Sequence, residues 1–211
     1  GGVYEHSFSN GSRLKALFIV NEEDRHTTRE RFVSTPEDPS ESKNLFLDTT
    51  SRYRERIVRG SYTFNMSGNQ GLEVGIEGAQ TIQDSGLLLG LPAGGTASPI
   101  HGGLTAIPFP NAFSTVEELR YEPFAIHNWQ INSSMSLESS LIGEWSEIEQ
   151  TGDVNKKRDF DYLKPKLDFR YDINNSLQFK ASIEKVVSQL GFGDFSRSTN
   201  NNDDDQDTII G

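Results

Sequence analysis

The connections between strand-like segments alternate between very short and very long, and this constrains the fold more than any other feature. Four tight turns, at Ser9-Asn10-Gly11-Ser12, Ser67-Gly68-Asn69-Gln70, Asn132-Ser133-Ser134 and Asn174-Asn175-Ser176, each sit between two long alternating segments. Between these hairpins lie polar stretches at 25–51, 85–118 and 151–159, and another begins at 188. Antiparallel neighbours place successive connections at alternate ends. The chain therefore reads as a meander that turns tightly at one end and loops widely at the other.

Eight strands follow from the residue pattern, at roughly 3–9, 13–23, 52–66, 71–84, 119–132, 136–150, 160–173 and 177–187. The seventh is the clearest. Leu163, Pro165, Leu167, Phe169, Tyr171 and Ile173 fall on one face, and Lys164, Lys166, Asp168, Arg170 and Asp172 on the other. Period-two alternation of this kind marks a strand with one apolar and one wet face. The eighth repeats it, with Leu177, Phe179, Ala181, Ile183, Lys185 and Val187 against Gln178, Lys180, Ser182 and Glu184. Pro165 removes a ladder donor, so a bulge is expected there. The fold class expected is all-β, an antiparallel meander of about eight strands forming part of a transmembrane β-barrel. Short turns on one side and long loops on the other are the rule in such barrels. Tyr53, Tyr121, Trp129, Trp145 and Tyr162 lie near strand ends, where a barrel places its aromatic girdles.

Composition narrows the function classes. The hydrophobic fraction of 34% leaves no run near the ~20 apolar residues that a membrane helix needs. A barrel tolerates such polarity, since only alternate strand residues meet lipid. With no cysteine, disulfides and thiolate metal sites are excluded. A formal net charge of -11 argues against nucleic acid, whose phosphates call for a basic face. Gly1-Gly2-Val3-Tyr4-Glu5-His6 has neither the basic start nor the apolar stretch of a signal peptide, which leads to the expectation of a piece of a longer precursor.

The C-terminal third carries a resemblance. Phe160-Asp161-Tyr162-Leu163-Lys164-Pro165-Lys166-Leu167, then Phe169-Arg170-Tyr171-Asp172 and Ser176-Leu177-Gln178-Phe179-Lys180-Ala181-Ser182, resembles barrel strands of TonB-dependent outer-membrane receptors. Val187, Gln189, Phe192, Gly193 and Asp194 continue the match, and Glu122-Pro123-Phe124 through Gly143-Glu144-Trp145-Ser146 looks like the preceding hairpin. The resemblance covers about 119–195, and its motifs are strand signatures with no catalytic content. It implies a location in the outer membrane of a Gram-negative bacterium. It further implies outer-membrane lipid around the wall, a small-molecule ligand at extracellular loops, and the TonB complex acting through a plug domain. The solute would be a siderophore, cobalamin or a glycan. This chain, 1–211, shows neither a plug domain nor a TonB box and does not end on an aromatic residue, which fits an excised middle portion of a barrel of about 22 strands. Two alternatives stay open: a complete eight-stranded barrel with an adhesion or structural role, and a soluble carbohydrate-binding β-domain.

No catalytic, cofactor or metal residues are expected, and no enzyme activity. His6, His26, His101 and His127 are scattered without ligand spacing. The acidic run from Asn200 to Asp207 lacks the spaced oxygens and glycine of a calcium loop. The stretch from Gly86 to Gly103 has no following Gly-Lys-Ser/Thr and reads as an extracellular loop. Arg52, Arg54, Arg56 and Arg59 form either a strand end near lipopolysaccharide phosphates or a solvated edge. Ser, His and Asp occur with no G-x-S-x-G nucleophile motif.

Overall fold

The computed structural model describes residues 1–36, 39–110 and 112–187, together with the backbone of 198–200 and 208–210. The long strands are β1 (Gly2–Ser7), β2 (Arg13–Val33), β3 (Ser42–Ser67) and β4 (Gln70–Leu91), followed after two short strands by β7 (Phe113–Asn132), β8 (Met135–Gly152), β9 (Lys156–Asn174) and β10 (Leu177–Glu184). The short pair, β5 (Ala97–Ser98) and β6 (Leu104–Ala106), flanks a 3-10 turn at Pro99–His101. β11 (Ser198–Asn200) and β12 (Thr208–Ile210) form a separate antiparallel pair.

The sheet runs β1-β2-β3-β4-β7-β8-β9-β10, each long strand antiparallel to its sequence neighbour. Tight turns therefore gather at one end, and the connections around 34–41, 92–112 and 153–155 at the other. The 188–211 stretch, with most of its acidic run, lies outside the described residues apart from the backbone of β11 and β12. β1 and β10 each pair on one side only among the described residues, and the sheet is open.

All eight expected strands are present; five of them run well past their expected ends, β8 by only a residue or two, and β1 and β10 stop short of theirs. Much of the polar stretch 25–51 is strand: β2 continues to Val33 and β3 begins at Ser42. The Gly86-to-Gly103 segment is likewise strand as far as Leu91, and Phe113 rather than 119 opens β7. The expected loop at 151–159 shrinks to a few residues between Gly152 and Lys156. The cause is that these extensions are polar or mixed on both faces, so alternation vanishes while the backbone ladder continues. Pro165 causes no register shift; it stands opposite Leu141 in a regular β8–β9 ladder. Its carbonyl accepts from the Lys185 amide, where β10 runs out. The missing donor thus faces the end of an edge strand, where proline is tolerated without a bulge.

Apolar packing within the sheet sits at the long-loop end. Leu45, Leu47 and Leu89 are buried there, with Leu87, Leu91, Ile107 and Phe109 packed against them. Gly102 takes a left-handed φ of 64° beside the Phe46 ring, where any Cβ would collide.

Candidate functional site: the two faces of the wall

Directly opposed residues of an antiparallel pair share a face, so the register turns the sequence into two surfaces. One row reads Phe18, Val58, Gly78, Tyr121, Trp145 and Asp161. Further toward the tight turns comes Leu14, Tyr62, Val74, Ala125, Leu141 and Pro165. Below it lie Phe64, Leu72, His127, Ser139, Leu167 and Ile183, then Gln70, Trp129, Leu137, Phe169 and Ala181. Apart from Asp161, His127, Ser139 and Gln70 these side chains form an apolar band, and many are open to the surroundings: Leu141 is 46% exposed and Trp145 54%. Leu163, Leu167, Phe169, Phe179 and Ile183 share this face, with Lys166, Arg170, Gln178 and Lys180 opposite, as the alternation predicts, whereas Leu177 stands opposite Asn174 at a register shift.

The band has defined limits. From Trp129 to Tyr121 on β7, and from Leu137 to Trp145 on β8, it extends about eight residue steps, or about 27 Å along the strand at ~3.4 Å per residue. A barrel strand tilted by 35–45° would make this about 20 Å of height, close to the ~25 Å apolar band of outer-membrane barrels. Beyond Tyr121 and Trp145 the same face turns ionic: Arg56, Gln80, Leu119, Glu147 and Asp159 form the next row. Of the expected girdle, Tyr121, Trp129 and Trp145 stand on the apolar face. Tyr53 and Tyr162 stand on the other, opposite Gln83 and Glu144, because their sequence parity is reversed.

The second face carries a ladder of charges behind the upper part of the band. Arg59 pairs with Glu77 at 3.4 Å, and Arg120 meets Glu77 at 3.8 Å and Glu122 at 3.2 Å. Lys164 then joins Glu122 at 2.8 Å and also Glu144. The Arg59 guanidinium lies 4.2 Å from the centre of the Phe124 ring. Gly75 makes room for that ring, since a Cβ there would stand 2.4 Å from Phe124 Cζ. Glu144 is 2% exposed and Glu118 7%, and one oxygen of each has no hydrogen-bond partner among the described residues. A face this rich in fixed charges favours water over hydrocarbon.

The arginine cluster is divided by the same parity. Arg52, Arg54 and Arg56 share the apolar band's face above its limit, whereas Arg59 belongs to the charge ladder. Arg52 is bonded to Glu22, Arg54 to Asp84 and Arg56 to Gln80. Each therefore has an acid or amide partner across the sheet, while Arg54 Nε has no hydrogen-bond partner among the described residues. Hydrogen bonding to Arg52, then its charge, holds the Glu22 carboxyl below the usual carboxylate range. At the long-loop end of β9, a hydrogen bond to Glu147 pushes Lys157 upward.

The histidines are placed apart. His26 contacts Asp48 at 2.6 Å, His101 contacts Ser98 at 3.1 Å, His127 contacts Gln70 at 3.1 Å, and His6 packs edge-on to Phe8. No group of metal-ligating side chains occurs among the described residues. The charge ladder escaped sequence reasoning because its members come from β3, β4, β7, β8 and β9. Only the wet-face parity of Glu122, Glu144 and Lys164 hinted at it.

No family model matches the chain, and no curated protein matches it significantly.

Proposed function

We propose that the chain is part of the wall of an outer-membrane active transporter of the TonB-dependent receptor kind. In this reading the apolar band meets lipid, the charge ladder lines a wet lumen, and the long-loop end faces outward to meet a scarce solute. That solute is a siderophore, cobalamin or a glycan. Energy reaches the transporter from TonB through a plug domain. The observation that carries the reading is the exposed, largely apolar band, bounded by Tyr121 and Trp145 and backed by ion pairs. A compact soluble β-domain would bury such a band against a second layer.

The protein's two tryptophans, Trp129 and Trp145, both stand on the proposed lipid face and so report on it directly. In liposomes of brominated phosphatidylcholine both should be quenched, while an aqueous quencher reaches them poorly. Emission unaffected by brominated lipid overturns the membrane reading. The transport half is tested in cells by uptake of labelled cobalamin, ferric siderophore or oligosaccharide. Uptake that stops without TonB supports it, and uptake unchanged without TonB overturns it. The eight-strand path favours one second reading, because eight strands are enough to close a small barrel. Under that reading the chain alone should run as a closed, heat-modifiable monomer with a structural or adhesive role. Under the transporter reading it should not.

A further inference from the structure

On the face of the apolar band, beyond its ionic margin, lies an open cleft of about 580 Å³. The register sets Asp24, Arg52, Asp84, Thr115 and Thr151 in one row across it, and Thr50, Gly86 and Phe113 in the next. Its centre is on β3, β4 and β7, inside the sheet and away from both margins.

Phe113 is a fixed platform within this cleft. Its amide donates to the Asp153 carboxylate at 3.1 Å, and its carbonyl accepts from the Asp153 amide at 3.2 Å. Gly86, directly opposite, has no side chain to lift the ring. A Cβ there would stand 3.4 Å from the ring's Cε1 and 2.5 Å from Thr50 Oγ1. The ring settles against that bare backbone, yet Phe113 is still 51% exposed.

Beside the platform stand groups that bind hydroxyls. Asp84 meets Arg54 at 2.5 Å and accepts from the Thr115 hydroxyl at 2.7 Å, and Asp24 meets Arg52 at 3.3 Å. Both carboxylates have guanidinium partners, so neither demands an ionic ligand, and their remaining lone pairs can accept further donors. An aromatic face is negative at its centre and attracts C–H groups. A ligand with C–H groups on one face and hydroxyls around its edge suits both features, and a sugar ring is built that way. Asp24 lies two strands beyond Asp84, about 10 Å further on, where only a linked second ring approaches it. The volume is in the range of small-ligand sites.

We infer that this cleft binds a neutral saccharide of at least two rings, one stacked on Phe113 and hydrogen-bonded to Asp84, the next running toward Asp24. The site is on the opposite face from the charge ladder and so is separate from the solute path proposed above. Thr115 is six residues beyond Tyr121, about 20 Å along the strand. Under the membrane reading this level is past the lipid tails, among glycolipid head groups. That reading bears only on the source of the saccharide, head group or free glycan.

The test titrates the full chain, in vesicles of brominated phosphatidylcholine, and follows binding by saturation-transfer NMR. The probes are methyl glucoside, methyl galactoside, maltotriose, globotriose, inorganic phosphate and tetramethylammonium. At least one trisaccharide should bind, with transfer strongest to the C–H protons of one ring. Phe113→Leu, which keeps Gly86 covered, should weaken it about tenfold. Asp24→Asn, at an exposed site, should weaken the trisaccharide several-fold and leave a single-ring glycoside unchanged. Absence of saccharide binding overturns the proposal. So does trisaccharide binding that neither variant changes, or phosphate or tetramethylammonium binding more tightly than every sugar. Saccharide binding with tryptophans that brominated lipid does not quench keeps the cleft and overturns the membrane reading. Adding galactosyl diacylglycerol to the vesicles separates the two sources, since competition with the soluble sugar assigns the site to a head group and its absence to a free glycan.

Discussion

The tight-turn half and the long-loop half of these strands are built from the same ladder, yet they obey different rules. Near the tight turns, Leu14, Val74, Leu141 and Leu167 share one face, while Phe124, Lys164 and Lys166 take the other. Toward the long loops β2 is exposed almost throughout and paired by charges such as Lys43–Glu30 at 2.6 Å, while β3 buries Leu45, Phe46 and Leu47. The ladder is therefore continuous across a change in side-chain pattern, because backbone pairing does not need a particular side chain.

The largest expected effect breaks this contrast at the middle of the band. If the proposed membrane reading holds, Leu141→Arg should destabilise the inserted protein by about 2–4 kcal/mol, the cost of a cation on a lipid face near the midplane. Urea titration of the reconstituted protein measures it. A cost under ~1 kcal/mol would place that face in water. Next, Glu144→Ala should cost about 2–3 kcal/mol, because Lys164 loses one of its two carboxylates in a packed setting. A double-mutant cycle with Lys164→Met isolates the pair, and a coupling near zero would remove the ladder's structural role.

Gly75→Ala should cost about 1–3 kcal/mol by overpacking, since the new methyl meets both Phe124 and the Gly60 carbonyl. Pairing it with Phe124→Leu should recover part of the loss, and no recovery would mean that the backbone contact dominates. In the long-loop half, Thr27→Arg should change stability by no more than about 0.5 kcal/mol, as the site is exposed. A loss as large as that at Leu141 would erase the distinction between the halves.

The smallest effect is electrostatic. The folded-state pKa of Glu22 is lowered, so any stability from this contact is present above the unfolded carboxylate pKa. It is lost as pH falls through the lower folded value. The side-chain carboxyl resonance of Glu22 should titrate below an ordinary glutamate, and Arg52→Gln should move it back up. An unchanged midpoint in that variant would assign the shift to another cause.

By itself the sequence determined the eight strands, their order, and which residues of the best hairpin share a face. It could do so because a tight turn fixes its two neighbours as antiparallel, and a half-buried strand must alternate. The alternation of 163–173 and 177–183 left little freedom in that hairpin. Only the tertiary structure decided where the strands end, because the polar stretches 24–33 and 42–51 give no period to read and are held by each other's backbone. It also brought together Glu77, Arg120, Glu122, Glu144 and Lys164. An ion-pair ladder across strands far apart in sequence has no local signature, since each of its charges, read alone, looks like any solvated residue.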